Sequence, residues 1–268
     1  MILAGDVGGT NLRLALFERD GQGLVKVGAA RYATASFERL EEAVETFCAT
    51  GEVPVEAAGF GVAAPIQGTS ARLTNSPLVI EAEAISATLG GTPVRLLNDL
   101  EATALGLAHL PASSFASLLP GAPDASGHRA VIAAGTGLGQ SLLIWDGSRH
   151  IAVATEGGHV EFAPRTPLEV ALLEALWAAG DAHVSYEAIL SGSGFQAIYS
   201  FLAARGEHPR APGCEPLAEP DPNRAITDAG VAGACPLCGA TLALFCSVYG
   251  AEAGNLALKS MARGGVVL

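Results

Sequence analysis

Gly5-Asp6-Val7-Gly8-Gly9-Thr10-Asn11 (GDVGGTN) is the stretch on which the reading of this chain turns. Before it, Ile2 to Ala4 is a short apolar run with the character of a buried strand. After it, Leu12, Leu14 and Leu16 alternate with Arg13, Ala15 and Phe17 in the period-two pattern of a second strand. The glycines therefore make a turn between two strands. Without Cβ atoms in the way, backbone N–H groups can close on an anion, which points to phosphate, and Asp6 offers a carboxylate for a hydrated Mg²⁺. The turn differs from a P-loop, because it has no Gly-Lys-Ser/Thr and no helix follows. A plain hairpin turn bearing an acidic residue is the competing reading.

Outward from the turn, the arrangement recurs. Ala130 to Ala134 (AVIAA) reads as a strand running into Gly135-Thr136-Gly137-Leu138-Gly139 (GTGLG), and the apolar run Ser141 to Trp145 follows. Between the two turns lie the parts of an α/β unit. Ser36 is placed to cap a helix over Phe37 to Ala49, with Phe37, Leu40, Val44 and Phe47 on one face and glutamates on the other. Ala57 to Ala64 and Pro93 to Leu97 read as buried strands, separated by a turn-rich segment containing Thr74, Asn75 and Pro77. Asn98 and Asp99 stand where the later strand gives way to a helix with Leu100, Ala104 and Leu107 as its stripe. Ligands of open α/β sheets gather at such carboxyl ends. A second unit is expected from near Pro111, giving domains of residues 1–110 and 111–268.

In the second unit Thr166, Pro167 and Glu169 form a capping box with proline at the first helical position, opening a helix that buries Leu168, Leu172 and Leu176. His208 to Asn223 holds five prolines and little periodicity, and reads as a surface loop. Leu237 to Leu258 is long and apolar but contains Glu252 and Asn255, the pattern of a core helix rather than a membrane span. Gly264 and Gly265 are expected to end that helix, and Val266 to Leu268 to begin another buried strand. A strand without a successor points to a chain truncated at its C-terminus.

Half of the 268 residues are apolar and the net charge is −12, with a pI near 4.9. That balance argues against nucleic acid and against attraction to anionic membranes, and leaves a small ligand as the expected partner. No basic segment or apolar leader precedes the first strand, so the expected location is cytoplasmic. Five cysteines, an odd number, suit a reducing compartment. Cys235 and Cys238 form a CPLC pair, but Cys214, Cys246 and His208 make no convincing second pair for zinc, so ordinary thiols at a helix start are the reading preferred.

Four signals lie in order along the chain: GDVGGTN, Asn98 with Asp99, GTGLG, and the EGGH run of Glu156 to His159. With VAAPI at Val62 to Ile66, LTN at Leu73 to Asn75, GHVEFAP at Gly158 to Pro164 and YEAILSGSG at Tyr186 to Gly194, the series resembles the bacterial glucokinases. The resemblance covers nearly the whole chain. It implies an α/β, two-lobed actin-like ATPase (ribonuclease H-like) fold with mixed sheets under helical cover, and ATP and glucose in the cleft between lobes. It assigns Asp6 to Mg²⁺, and Gly8, Gly9, Thr10 and Asn11 to the nucleotide phosphates, with Gly135, Thr136 and Gly137 meeting them from the other lobe. It assigns glucose to Asn98, Asp99, Glu156, His159 and Glu187, with Asn75 a weaker contact. Asp99 is the implied general base, taking the proton of the sugar 6-hydroxyl as that oxygen attacks the γ-phosphorus. Taken alone, Asn98 would read as a helix cap and His159 as a satisfied core histidine.

Two departures from the family pattern stand out. Ser76, Pro77 and Leu78 follow the Thr-Asn pair where members often have an aromatic residue, which loosens the expected hexose preference. Members also continue past this C-terminus with a strand, a glycine turn toward the adenosine and a helix returning to the first lobe. A sugar-binding remnant with little kinase activity, and a kinase for another hexose or a hexosamine, therefore stay open beside the glucokinase reading. A sugar-responsive regulator of the related ROK group is disfavoured, because Asp6 leaves no room ahead of it for a helix-turn-helix. The related enzymes are commonly dimeric, and a homodimer stays an open expectation.

Overall fold

The computed structural model describes residues 1–21, 23–49, 54–73, 78–107, 109–122, 124 and 126–268. The chain divides into two compact units, Met1–Leu118 and Leu119–Leu268. Each is built on a mixed sheet whose hairpin is tipped by one of the two glycine turns.

In the first unit, β1 (Ile2–Val7) and β2 (Asn11–Asp20) pair antiparallel, and β3 (Gly23–Ala33) pairs antiparallel with β2. On the other side of β1 lie β4 (Ala57–Val62) and β8 (Val94–Asn98), both parallel to it, giving the order β3-β2-β1-β4-β8. The first strand is longer than its apolar run suggests and carries Gly5 and Asp6 within it. Gly5 is not a turn residue: a Cβ there would lie 2.7 Å from Phe60 Cε1 and 3.2 Å from Leu14 Cδ2. Leu3, Leu12, Leu14, Phe60 and Val62 are buried in one core with Leu40, Val44 and Phe47 of α1 (Leu40–Cys48).

That helix starts later than Ser36 predicts. Thr34–Ser36 is a single 3-10 turn and Phe37 is extended, packed edge-to-face on Tyr32 with ring centroids 5.4 Å apart. Arg39 is the N-cap and offers no side-chain cap bond; the Glu42 carboxylate instead accepts the Glu38 N–H at 3.3 Å. Nor do the glutamates all face outward, since Glu41 is buried beside Arg39 at 3.3 Å. The segment read as merely turn-rich folds a small antiparallel sheet, β5 (Ile66–Gln67), β6 (Ser70–Arg72) and β7 (Val79–Glu81), followed by α2 (Ala82–Thr88). Thr74, Asn75, Ser76 and Pro77 lie outside the described residues. From β8 the chain passes directly into α3 (Asp99–Leu107), of whose stripe Ala104 is buried.

The second unit repeats the hairpin. β9 (Arg129–Ala134) and β10 (Leu138–Trp145) pair antiparallel, β11 (His150–Thr155) follows antiparallel to β10, and β12 (Val266–Val267) lies parallel to β9. Thr166 caps α4 (Pro167–Ala178), accepting the Glu169 N–H at 3.2 Å. Glu169 does not reach back to the cap residue as a capping box would; it takes the Arg165 N–H at 2.6 Å and the Arg165 guanidinium at 2.8 Å. α5 (Gly192–Arg205) and α6 (Pro222–Val231) went unread in the sequence. Between them the proline-rich loop is not wholly superficial: Pro216 is buried and Cys214 is partly so.

The last helix, α7 (Pro236–Ser260), is long and apolar enough to cross a membrane by length and composition. Of its buried positions, Leu237, Thr241, Leu244, Val248, Glu252 and Leu256 make one stripe, and the apolar ones among them join the unit's core with Cys238, Ile132, Leu172 and Ile198. The helix ends at Met261, which adopts φ 51°, and not at the glycines beyond it. Gly264 serves another purpose: its Cβ would lie 2.6 Å from the Gly127 carbonyl oxygen, so the bare backbone is what lets the chain turn back beside β9.

Candidate functional site

Strand register explains how residues far apart in the first unit meet. Val7 of β1 pairs with Val62 of β4, and Val62 pairs with Asn98 of β8. The carboxyl ends of three parallel strands are therefore level, and the Gly8–Thr10 turn leaves the sheet at the same edge as Asn98 and Asp99.

The turn is braced from β3's end, where the Thr34 hydroxyl donates to the Gly8 carbonyl at 2.7 Å and the Thr34 N–H to the Thr10 carbonyl at 3.0 Å. Neither Gly8 nor Gly9 has a positive φ. A Cβ at Gly9 would meet no described heavy atom within 4 Å, and one at Gly8 would meet only the Asn11 carbonyl oxygen, at 3.3 Å. At position 9 glycine is required neither by backbone strain nor by packing among the described residues, and at position 8 the Asn11 carbonyl is the one close neighbour. Open space above bare amides is what a phosphate needs. Asn11 is held at the loop's far end, its Oδ1 accepting Arg31 Nε and Nη2 at 3.1 and 2.9 Å. Asp6 is exposed and ion-paired with Arg13 at 2.8 Å. It belongs to a concavity of about 500 Å³ lined also by Ala4, Arg13, Ala15, Ala29 and Arg31, which does not include Asn98 or Asp99.

Asn98 is a helix cap. Its Oδ1 accepts the Leu100 and Glu101 N–H groups at 3.0 and 3.3 Å, and its Nδ2 reaches the Ala64 carbonyl at 3.5 Å. The expected sugar contact would fall to whatever donor capacity the amide retains. Asp99 Oδ1 takes the Leu100 N–H at 2.8 Å. Burial pushes the Asp99 carboxyl above its ordinary value, the Leu100 N–H draws it partly back, and the neighbouring Asp6 charge adds to the rise.

In the second unit β9 ends at Ala134, β10 begins at Leu138 and β11 ends at Thr155, so the Gly135–Gly137 turn and the Glu156–His159 run also leave one sheet edge together. Glu156 caps a single 3-10 turn, Gly157–His159, that is pressed against β10. A Cβ on Gly157 would lie 2.8 Å from Gln140 Cδ, and one on Gly158 would lie 3.0 Å from the Leu138 carbonyl carbon. The two glycines of EGGH are therefore packing residues that hold Glu156 and His159 over the sheet. Segment 158–162 runs against 184–187 through the Phe162 N–H to Val184, Tyr186 N–H to Val160 and Glu187 N–H to Gly158 bonds, at 2.9 to 3.0 Å. This pairing brings Glu187 to the site from distant sequence: His159 Nδ1 is 3.8 Å from Glu187 Oε1, and His159 Nε2 is 3.8 Å from Glu156 Oε2. Glu187 Oε2 meanwhile takes the Leu138 N–H at 2.8 Å, beside Gly137.

Beneath this cluster is a network that sequence reasoning did not find. Glu252 of α7 is fully buried; its Oε1 accepts Gln140 Nε2 at 2.9 Å and its Oε2 accepts Asn255 Nδ2 at 3.0 Å. Asn255 Nδ2 also donates to the Tyr186 hydroxyl at 3.1 Å. The only advance sign was a glutamate and an asparagine in an otherwise apolar helix.

The structure thus gathers Gly8–Asn11, Asn98 and Asp99 at one edge of the first unit's sheet, and Gly135–Gly137, Glu156, His159 and Glu187 at one edge of the second's. Two mixed sheets with glycine-tipped hairpins and polar clusters at their edges define the actin-fold sugar kinase class. A family profile described as Glucokinase matches residues 3–268. A glucokinase of Nostoc punctiforme is 36% identical over 283 residues, covering 100% of this chain and 83% of that protein. The crystal structure of a glucokinase from an Antarctic psychrotroph superposes with TM-score 0.82 at 29% identity, covering 99% of this chain and 81% of the other. At the level of fold alone, a ROK family glucokinase from Streptomyces griseus, solved with glucose and AMPPNP, superposes with TM-score 0.61 at 18% identity over 97% of this chain and 80% of the other. The chain belongs to the Glucokinase family.

Proposed function

We propose that this chain transfers the γ-phosphoryl group of ATP to the 6-hydroxyl of glucose. The observation that carries the proposal is Asp99: a half-buried carboxyl with a raised proton affinity, level with an open glycine turn. A base whose pKa is moved toward the working pH accepts a proton more effectively. In this reading Asp99 takes the 6-hydroxyl proton as the oxygen–phosphorus bond forms and the bond to the ADP oxygen breaks.

The remaining residues bind and position. Gly8, Gly9, Thr10 and Asn11 in the first unit, and Gly135, Thr136 and Gly137 in the second, would take the phosphates. Asp6 offers an exposed carboxylate of the oxygen type that Mg²⁺ prefers, and the cation would neutralise phosphate charge. Glu156, His159 and Glu187 would receive the sugar hydroxyls, with Asn98 and Asn75 from the first unit's sequence. Two carboxylates around an imidazole suit adjacent hydroxyls, and a sugar lacking one of them would leave a polar group unpaired.

The test is a coupled assay of Mg·ATP-dependent glucose phosphorylation, with Asp99→Asn alongside and a glucose thermal shift on the same sample. Turnover that Asp99→Asn removes while the thermal shift persists supports the proposal. A glucose shift without turnover would reduce the function to sugar binding. Turnover unchanged in Asp99→Asn would remove the assigned base, and a preference for N-acetylglucosamine would change the substrate.

A further inference from the structure

Three of the five cysteines converge. The Sγ atoms of Cys214, Cys235 and Cys238 all lie within 4.8 Å of one another, and those of Cys214 and Cys238 are 3.8 Å apart. Cys235 is the N-cap of α7 and Cys238 sits in that helix's first turn, both buried, while Cys214 comes from the proline-rich loop and is partly exposed. The spacing is informative. Two sulfurs held at about 2.3 Å from one tetrahedral zinc stand roughly 3.8 Å apart.

A second observation points at the same spot. The Tyr199 hydroxyl of α5 is one of three buried side-chain nitrogen or oxygen atoms with no hydrogen-bond partner among the described residues, and the residue is 4% exposed. The ionisable groups acting on that hydroxyl are the three cysteines and Arg210. A buried hydroxyl left unpaired costs free energy unless something at the site completes it. Arg210, ion-paired with Glu215 beside Cys214, adds positive charge nearby.

We infer that Cys214, Cys235 and Cys238 form a three-thiolate site for Zn²⁺, with a water in the fourth position bonded to the Tyr199 hydroxyl. Binding releases the thiol protons to solvent and forms three Zn–S bonds without change of oxidation state. The ion clips the proline-rich loop to α7 beside α5, three elements that share the second unit's core. Its role is structural and lies apart from Glu156, His159 and Glu187, so the site stands or falls independently of the kinase proposal. The sequence hides it because the third ligand lies on a loop with no partner cysteine at motif spacing.

The experiment uses the full chain purified under reductant. Zinc is measured as equivalents per chain, and the metal is then exchanged for Co²⁺, whose thiolate charge-transfer and d–d bands report tetrahedral sulfur ligation. One equivalent of zinc, the tetrahedral cobalt spectrum, and a melting temperature that falls on chelation are expected. Cys214→Ser, the least buried position, should lose both the equivalent and the spectrum while keeping its circular dichroism, and Cys246→Ser should keep them. The stoichiometry of the unaltered chain stands even if a variant fails to fold. Less than a tenth of an equivalent in the presence of added zinc, binding that survives Cys214→Ser, or a Cys235–Cys238 disulfide in the reduced preparation would each overturn the inference.

Discussion

Gly5 and Gly9 belong to one motif, yet the structure gives them opposite surroundings, and replacing each by alanine separates packing from the proposed phosphate contact. At Gly5 the new methyl would lie 2.7 Å from Phe60 Cε1, where carbon pairs normally settle at about 3.5–4.0 Å. Phe60 Cδ1 would be closer still, so the ring must retreat by about 1.5 Å, and it is 0% exposed, with Leu14 closing the other side at 3.2 Å. Overpacking of this kind costs about 1–3 kcal/mol. For a chain of this size each kcal/mol lowers the melting temperature by about 2–4 °C. At Gly9 the φ is ordinary and the methyl enters open space, so Gly9→Ala should leave stability unchanged or raise it by about 0.4–1 kcal/mol through the unfolded chain.

Function should move the other way. Gly9→Ala puts a methyl where a phosphate oxygen is proposed to sit, raising KM for ATP, while Gly5→Ala should leave KM near normal at temperatures well below its melting point. Phe60→Leu in the Gly5→Ala background should recover part of the lost stability, because the two changes share one contact. The assay pair is thermal melting with and without nucleotide, and initial rates against ATP. Equal destabilisation by both alanines, or a Gly9→Ala enzyme with unaltered KM for ATP, would refute the division of labour.

Asp99→Asn should lower kcat by about a hundredfold to ten-thousandfold, the usual contribution of a positioned base. It should also raise the melting temperature at neutral pH. A carboxyl whose folded pKa is raised costs native stability as pH rises from the ordinary carboxylate value, and that cost is complete once pH exceeds the folded value. The Asn variant's advantage should fade as pH drops below the ordinary carboxylate range; an advantage constant with pH would exclude this cause. Glu252→Gln should cost about 1.5–3 kcal/mol, since an amide has one accepting oxygen for the Gln140 and Asn255 donors that the carboxylate serves with two, and urea melts would show it. Gly137→Ala, whose methyl would lie 3.2 Å from Glu187 Cδ, should displace that carboxylate and raise KM for glucose with little loss of stability; an unchanged KM would deny Glu187 its proposed role.

Much of the fold was legible where local pattern and tertiary demand agree. Alternating leucines in β2 and the proline-headed start of α4 needed no knowledge of their neighbours. Phe37 shows the opposite case: its spacing from Leu40 and Val44 fits a helical face, but Tyr32 holds it in an extended segment and moves the helix start to Leu40. Strands of two or three residues such as β5 to β7 are too short to carry a period and stayed hidden in a turn-rich stretch. For the site, the residue types were visible but their physical reasons were not. Gly5, Gly157 and Gly158 are forced by neighbouring side chains or backbone, Gly8 is crowded by the Asn11 carbonyl alone, and Gly9 has no described neighbour, and letters alone do not distinguish these. Asn98 was read as a sugar contact with a cap as the alternative, and the cap bonds are present.

Glu187 carries the least distinctive local sequence of the assigned cluster, yet it ties the two halves of the second unit's edge together. One of its oxygens is pinned by the Leu138 N–H, immediately after the Gly135–Gly137 turn, and the other faces His159. Its backbone is fixed by the bond to Gly158, inside the 3-10 turn that presents Glu156 and His159. A sugar hydroxyl that drew the carboxylate toward His159 would loosen the Leu138 bond and shift the amide at the start of β10. A phosphate that reset the turn would, by the same bond, re-aim the carboxylate. Because the coupling is a free energy between two sites, it must act equally in both directions. Among the described residues, the bracing bonds of the first turn run to Thr34, just past the end of β3, and reach no assigned sugar residue. Communication between sugar and nucleotide within a unit should therefore reside in the second unit, with the Glu187 carboxylate as its moving part.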